Sequence, residues 1–454
     1  MADEESGQWL RNWFNEHGIT EVECVVPDIT GEPKGKIMPA AKYLGGERPR
    51  LPDSIFIQAA TGDYPENEEE IVDPAELDME LIADLSTCRR VPWAREPTAQ
   101  IVHECRYLND DPVLVSPRHV LKRVLDLYAA RGLKPVVAPE MEFYLVQRNT
   151  DADYPLQPPT GRTGRREVSR RAYSIEAVNE FDPVFEAMYD YCELQGLDID
   201  TLIHEEGSGQ MEINFEHGDP LELADQIFYF KRTLREVALA HNMYGTFMAK
   251  PMAEEPGSAM HLHQSVCDLE TGENVFADEQ NEATSDFHHF IGGLQHYLPE
   301  GLALLAPNVN SYRRLLPDPG NVSAPINTEW GYDNRTVGLR VPHSDRKAKR
   351  VENRIAGADV NPYLAIALSL ACGYVGLSQK MAPRPSVASS AYDSGYRLPS
   401  DLGRALDTLE ESETIKSLLG ERFINTYVAV KRTEALAHFK VISSWEREYL
   451  LLRV

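Results

Sequence analysis

Residues 134–146 read K-P-V-V-A-P-E-M-E-F-Y-L-V. In an extended chain successive side chains alternate between two faces. Met141, Phe143 and Leu145 then share one face, and Glu140 and Glu142 share the other. Two carboxylates side by side on one strand face repel each other unless a cation sits between them. Taken alone, the stretch is equally a strand with a solvated acidic face, and the rest of the chain decides between the two.

Four further pieces are similar in kind. Residues 204–215 read H-E-E-G-S-G-Q-M-E-I-N-F. Met211, Ile213 and Phe215 alternate there against Gln210, Glu212 and Asn214, with Glu205 arriving from a glycine-containing turn. Residues 257–265, G-S-A-M-H-L-H-Q-S, put His261 and His263 on one strand face. Residues 310–315, N-S-Y-R-R-L, add Arg314, and residues 334–354 add Arg335, Arg340 and then Arg350, Glu352 and Arg354 on one face.

This is an inventory of carboxylates, one or two imidazoles and many arginines, placed mostly on strands. Such donors suit Mg2+ or Mn2+ better than zinc. Arginines beside these ions grip phosphate and carboxylate groups with paired donors. Several divalent ions with an arginine cluster point to phosphoryl transfer from a nucleotide, where catalysis is mainly positioning and charge neutralisation. Neither G-x-x-x-x-G-K-[ST] nor G-x-G-x-x-G occurs, so a P-loop or Rossmann fold is not supported.

The 454 residues are 42% hydrophobic and 26% charged, the balance of a globular protein of more than one domain. No stretch approaches the roughly 20 apolar residues of a membrane span. The acidic N-terminus lacks the basic and apolar regions of a secretion signal, so a cytoplasmic location is expected. A net charge of −27 repels nucleic acid and favours cationic partners. Six scattered cysteines without a C-x-x-C pair argue against structural zinc and a disulfide framework.

Residues 1–110 read as a small β-rich domain: a strand over 21–27, a turn over 28–35 and a returning strand over 36–39. The charge run at 66–70, inside a proline- and acid-rich segment over 49–97, reads as a solvated loop. Ser116-Pro117 opens a helix that Gly132 ends, which sets the domain boundary near 112. Residues 151–171 read as a long loop. Helices are predicted over 183–196 and 219–242, from Asn361-Pro362 onward, and again beyond 398. The apolar close W-E-R-E-Y-L-L-L-R-V predicts a docked terminus.

Seven motifs, P-E-M-E-F, H-E-x-x-x-G-Q-x-E, G-S-x-M-H-x-H-x-S, N-S-Y-x-R-L, N-R-x-x-x-x-R-x-P, R-x-E-x-R and N-P-Y, follow one another along the chain. In that order they resemble the glutamine synthetase family, over about residues 112–380. The resemblance implies an α+β chain with an N-terminal β-grasp domain over 1–111. It implies a catalytic domain over 112–454 with a curved antiparallel sheet flanked by helices. It further implies a homododecamer of two stacked hexameric rings, with sites between neighbouring N- and C-terminal domains.

Carried over by motif, Glu142, Glu205 and Glu212 are expected to hold one metal; the seven-residue step to Glu212 favours Glu205 over Glu206. Glu140, His261 and Glu352 are expected to hold a second, by the transferring phosphate. Gly257, Arg314 and Arg354 match the glutamate-binding positions. His263, Ser265, Arg340 and Arg350 match the ATP side, and Arg335, Arg340 and Glu140 are the expected catalytic groups. The implied reaction activates the γ-carboxylate of glutamate with ATP and transfers it to an amine. A non-catalytic homologue would have lost some of these residues, and none is lost.

One departure bears on the amine. Ammonia-using members carry G-Y-E-A-P in a flap after N-S-Y-x-R-L. Residues 316–325 here are L-P-D-P-G-N-V-S-A-P, with Gly320 or Ser323 at the position of the glutamate, depending on the direction of counting. The F-D-G-S-S-I segment is also missing; residues 52–56 and 61–63 occupy its region. G-S-A-M-H-L-H-Q-S, preceded by T-F-M-A-K-P, most resembles the γ-glutamylpolyamine synthetase branch. An organic amine, putrescine or a longer polyamine, is the expected nucleophile, with a bulky monoamine as its rival.

Overall fold

The hairpin expected near residue 30 forms, with β1 (Glu21–Pro27) antiparallel to β2 (Pro33–Pro39) in unbroken register. The computed structural model describes residues 2–71, 77–168, 170–316 and 324–454. Three short strands, β3 (Arg50–Pro52), β4 (Asp78–Ala83) and β5 (Arg89–Arg90), precede the longer β6 (Thr98–Tyr107). They form one sheet in the order β2-β1-β6-β4-β3, with β5 also on β6 and β1 parallel to β6. The charge run at 66–70 is not simply loop, because Glu68–Ile71 closes one helical turn.

A second sheet carries the chemistry. Its centre is β7 (Leu133–Gln147), whose Met141, Phe143 and Leu145 are fully buried, as the alternation predicts. Full burial of a large apolar side chain contributes roughly 1.5–3 kcal/mol, which fixes which face turns inward. Around it lie β8 (Ile199–His204), β9 (Gln210–Phe215), β10 (Met243–Thr246), β11 (Met260–Asp268), β12 (Trp330–Tyr332), β13 (Leu339–Val341) and β14 (Val351–Asn353). The order is β12-β13-β14-β11-β7-β9-β8, with β10 on the far end of β7. The sheet is mixed and not wholly antiparallel as expected: β12 and β13 run parallel, since residues 333–338 cross over between them.

Pro135 and Pro139 stand inside β7, where a missing amide N–H would break a ladder. The amide of Val137 points away from β11, to the carbonyl of Gly218, so Pro135 and Pro139 share that orientation. The bonds to β11 survive both prolines.

Helices pack against this sheet. Asp219 caps the helix Pro220–Ala240 by accepting from the amides of Leu221 and Glu222, with Pro220 in the first turn. Asn361 does the same for Pro362–Gln379. Contrary to the expectation that no stretch comes near a membrane span, that helix is long and apolar enough to cross one by length and composition, but 83% of it is buried inside the fold, as a core helix is. The helix Asp182–Gln195 ends at Gly196 with φ 62°, a left-handed cap that favours glycine. Two expectations fail. Residues 310–315 form the single-turn helix Ser311–Arg314 and no strand. The apolar C-terminus does not dock on its own chain, for Leu451, Leu452 and Val454 are exposed.

Candidate active site

Cross-strand register assembles the site. Glu140 on β7 faces His261 on β11 on one side and Asn214 on β9 on the other. One step along, Glu142 faces Glu212. One step the other way, His263 faces Glu352 on β14, which faces Arg340 on β13. Side chains directly opposite in a sheet lie close enough to interact. Five strands thus deliver carboxylates, imidazoles and a guanidinium to one face.

The contacts follow. Glu140 receives His261 Nδ1 at 3.1 Å and His263 Nε2 at 2.8 Å, one on each oxygen. His263 Nδ1 accepts from Arg350 Nε at 3.0 Å, which leaves its Nε2–H to donate to Glu140. Glu352 accepts from Arg340 Nη1 at 2.8 Å and from Arg354. Glu142 accepts from the Ala259 amide at 2.8 Å and from Gln210 Nε2 at 3.1 Å. Arg314, on its short helix, donates to the carbonyls of Ile355 and Arg354 at 2.8 and 2.9 Å.

These elements enclose a cavity of about 280 Å³, lined by Glu140, Glu142, Glu205, Glu212, His261, Gly257, Arg314, Arg335, Arg340 and Arg354 among others. Gly257 lies against Arg314: a Cβ there would meet the arginine's Cγ at 2.6 Å and the Ala249 carbonyl at 2.7 Å. His263 and Arg350 join through the Glu140 contact and Glu352 through its arginines. Ser265 lies two residues further along β11, opposite Val136, and makes no hydrogen bond to the group among the described residues. Residues 317–323, which hold the altered flap with Gly320 and Ser323, lie outside the described residues.

The electrostatics are those of a site short of positive charge. Burial, reinforced by neighbouring carboxylates, pushes Glu142 up to about 8 and Glu212 up to about 10. Burial likewise raises Glu205. Burial opposes ionisation of Glu140 too, but the hydrogen bonds from His261 and His263 outweigh it and hold it well below the usual carboxylate range. Burial, then Arg354, brings His261 down to about 4, so its ring is neutral near pH 7, the form that ligates metals.

The donor atoms fit divalent cations. Glu140, Glu212 and His261 bring ligand atoms within 4.8 Å of one another, and so do Glu140, His263 and Glu352. Carboxylate and imidazole in these numbers suit Mg2+ or Mn2+. Glu140 belongs to both sets because its two oxygens point to different histidines, and His263 joins Glu352.

Gln210 was given no role by sequence reasoning, yet its amide bridges Glu142, the Gly257 carbonyl at 3.0 Å and Ser258 Oγ at 3.3 Å. The signal was its position two residues from Glu212 on the same strand face. Tyr173 and Asn214, which also line the cavity, were not assigned either.

A buried acidic and imidazole cluster joined to arginines on an open mixed sheet can hold divalent cations and anionic groups, and with the family match below the class is that of ATP-dependent carboxylate–amine ligases. The chain belongs to the glutamine synthetase family, whose catalytic-domain model matches residues 114–450. It is 35% identical over 456 residues to gamma-glutamylputrescine synthetase PuuA of Escherichia coli, covering 98% of this chain and 94% of that one. It is 33% identical over 464 residues to a glutamate–isopropylamine ligase of a Pseudomonas species, covering 98% of each. A glutamine synthetase of Pyrococcus abyssi is 33% identical over 422 residues, covering 91% of this chain and 89% of that one. Among solved structures, ligand-free GmaS superposes with a TM-score of 0.82 at 26% identity, over 96% of this chain and 98% of that one.

Proposed function

We propose that the chain ligates the γ-carboxylate of glutamate to an organic amine, preferentially a polyamine such as putrescine. The observation that carries this reading is the junction, around one cavity, of the carboxylate–imidazole cluster with Arg314, Arg335, Arg340 and Arg354. A glutamate oxygen attacks the γ-phosphorus of ATP, forming the acyl phosphate as the bond to ADP breaks. The amine nitrogen then attacks the acyl carbon, phosphate leaves, and the nitrogen sheds a proton to give the γ-glutamyl amide.

Arg335, Arg340 and Arg350 hold the ATP phosphates, and His263 and Ser265 stand on the nucleotide side. Arg314 and Arg354 hold the glutamate carboxylates beside the Gly257 backbone. Glu140, Glu142, Glu205, Glu212, His261 and Glu352 would hold Mg2+ or Mn2+, two or more ions per site. When bound, these ions neutralise charge on the transferred phosphoryl group.

The preference for an organic amine rests on the flap sequence over 316–325, which lacks a glutamate, and on the two amine-ligase relatives that span the chain. A monoamine is the second reading, favoured by the isopropylamine ligase. The reading extends to assembly: a β-grasp domain over 1–111, to which the parallel β1–β6 pair is suited, and a catalytic domain over 112–454, in a cytoplasmic homododecamer. Neither nucleic acid nor membrane is a partner in it. Phosphate release from ATP, Mg2+ and glutamate, measured across ammonium, monoamines and polyamines, tests the proposal. Fastest turnover with a polyamine supports it, and turnover on ammonium alone refutes it.

A further inference from the structure

Two adjacent carboxylates, Glu205 and Glu206, line the cavity where the chain leaves β8. The other cavity carboxylates are either hydrogen-bonded or grouped with possible metal ligands. Glu140 is held by two histidines and Glu142 by Gln210 and the Ala259 amide. Glu205 accepts from the backbone N–H of Glu206, and Glu212, which has no hydrogen-bond partner of its own among the described residues, lies within a set of possible metal ligands with Glu140 and His261. Glu206 falls in neither ligand set. Its half-buried carboxylate has no hydrogen-bond or ion-pair partner among the described residues.

Its surroundings are specific. Ile203, near the end of β8, and Tyr173 line the same cavity. The Tyr173 amide donates to the His204 carbonyl at 2.9 Å, which ties that residue to the strand end beside Glu205 and Glu206. Tyr173 has φ 61°, a left-handed conformation that is uncommon for a tyrosine. An aliphatic side chain, an aromatic ring and an unpaired carboxylate thus line one cavity, with Tyr173 tied through its backbone to the strand end that carries the other two.

We infer that Glu206 is the specificity-determining residue for the amine, pairing with the distal ammonium of a diamine whose alkyl chain lies against Ile203 and Tyr173. The inference rests on the ligase reading above. The attacking nitrogen must be neutral, so a diamine keeps one charge for recognition and a monoamine keeps none. A carboxylate–ammonium hydrogen bond over an aromatic face is a strong, charge-assisted contact.

The test compares wild-type enzyme with Glu206→Gln and Glu206→Asp, using putrescine and propylamine as nucleophiles. Glu206→Gln is expected to raise the putrescine KM about tenfold or more. The propylamine KM, the glutamate KM and Mn2+ affinity should stay within about twofold, and Glu206→Asp should recover part of the loss. An unchanged putrescine KM, or an equal rise for both amines, would overturn the inference while leaving the ligase reading intact. Weakened Mn2+ binding would make Glu206 a metal ligand instead. A wild-type enzyme that uses no amine overturns the ligase reading itself, and the inference with it.

Discussion

Glu140 and His261 stand directly opposite each other on β7 and β11, with Nδ1 3.1 Å from the carboxylate. His263, two residues on, takes the other oxygen of the same carboxylate at 2.8 Å. Glu140 is therefore the hinge between the two sets of ligand atoms.

Replacing Glu140 with Gln keeps its shape and removes its charge from both sets. Phosphate release is expected to fall about a hundredfold or more. Mn2+ titration followed by electron paramagnetic resonance should find both binding events weakened. Loss of one event with the other unchanged would return the division to the one implied by motif.

Arg314 is buried and donates to two carbonyls of the segment that carries Arg354. Lysine retains the charge but cannot reproduce the fork. Arg314→Lys is expected to raise the glutamate KM about tenfold or more and to destabilise the chain by about 1–3 kcal/mol for each carbonyl left unsatisfied. Steady-state kinetics and urea denaturation check the two effects separately.

Period-two alternation made β7, β9 and β11 legible, together with the face on which each acidic or imidazole side chain would lie. Register was not legible. Nothing within residues 257–265 says that His261, and not His263, stands opposite Glu140, because the strands that set it are far apart in the chain. The turn Ser311–Arg314 was hidden for a similar reason. Its helical form depends on contacts with residues 354–359, such as Ser311 Oγ to Asp359 at 2.6 Å. The exposed C-terminus shows the opposite failure, where a local apolar signal found no surface on its own chain.

His103, in β6, is buried, with Nδ1 2.8 Å from the Ile101 carbonyl and Nε2 3.0 Å from the Tyr43 hydroxyl. Burial brings its pKa down to about 4. The unfolded chain takes up this proton near pH 6.5 and the folded chain only near 4, so stability is retained above about 6.5 and lost as pH falls toward 4. The loss is roughly 3 kcal/mol. Denaturation midpoints of wild type and His103→Gln, compared between pH 7 and 4, should differ in slope by the contribution of this one proton, and equal slopes would contradict it.

Arg118, 2% exposed, binds Asp84 at 2.6 Å, Glu104 at 3.1 Å and Asp225 at 2.9 Å, joining the N-terminal sheet to the helix Pro220–Ala240. Arg118→Met leaves Asp225 buried without its cation. A loss of about 3–5 kcal/mol is expected, with partial recovery when Asp225→Asn is added. A double-mutant cycle by denaturation measures both.

The central claim is that a glutamate oxygen is phosphorylated before an amine displaces the phosphate. It is tested most directly with glutamate carrying heavy oxygen in its γ-carboxylate, incubated with enzyme, ATP, Mg2+ and putrescine. Mass spectrometry should find one heavy oxygen in each phosphate released, together with γ-glutamylputrescine. Unlabelled phosphate, or ATP cleavage that proceeds without a γ-glutamyl amide, would contradict the account.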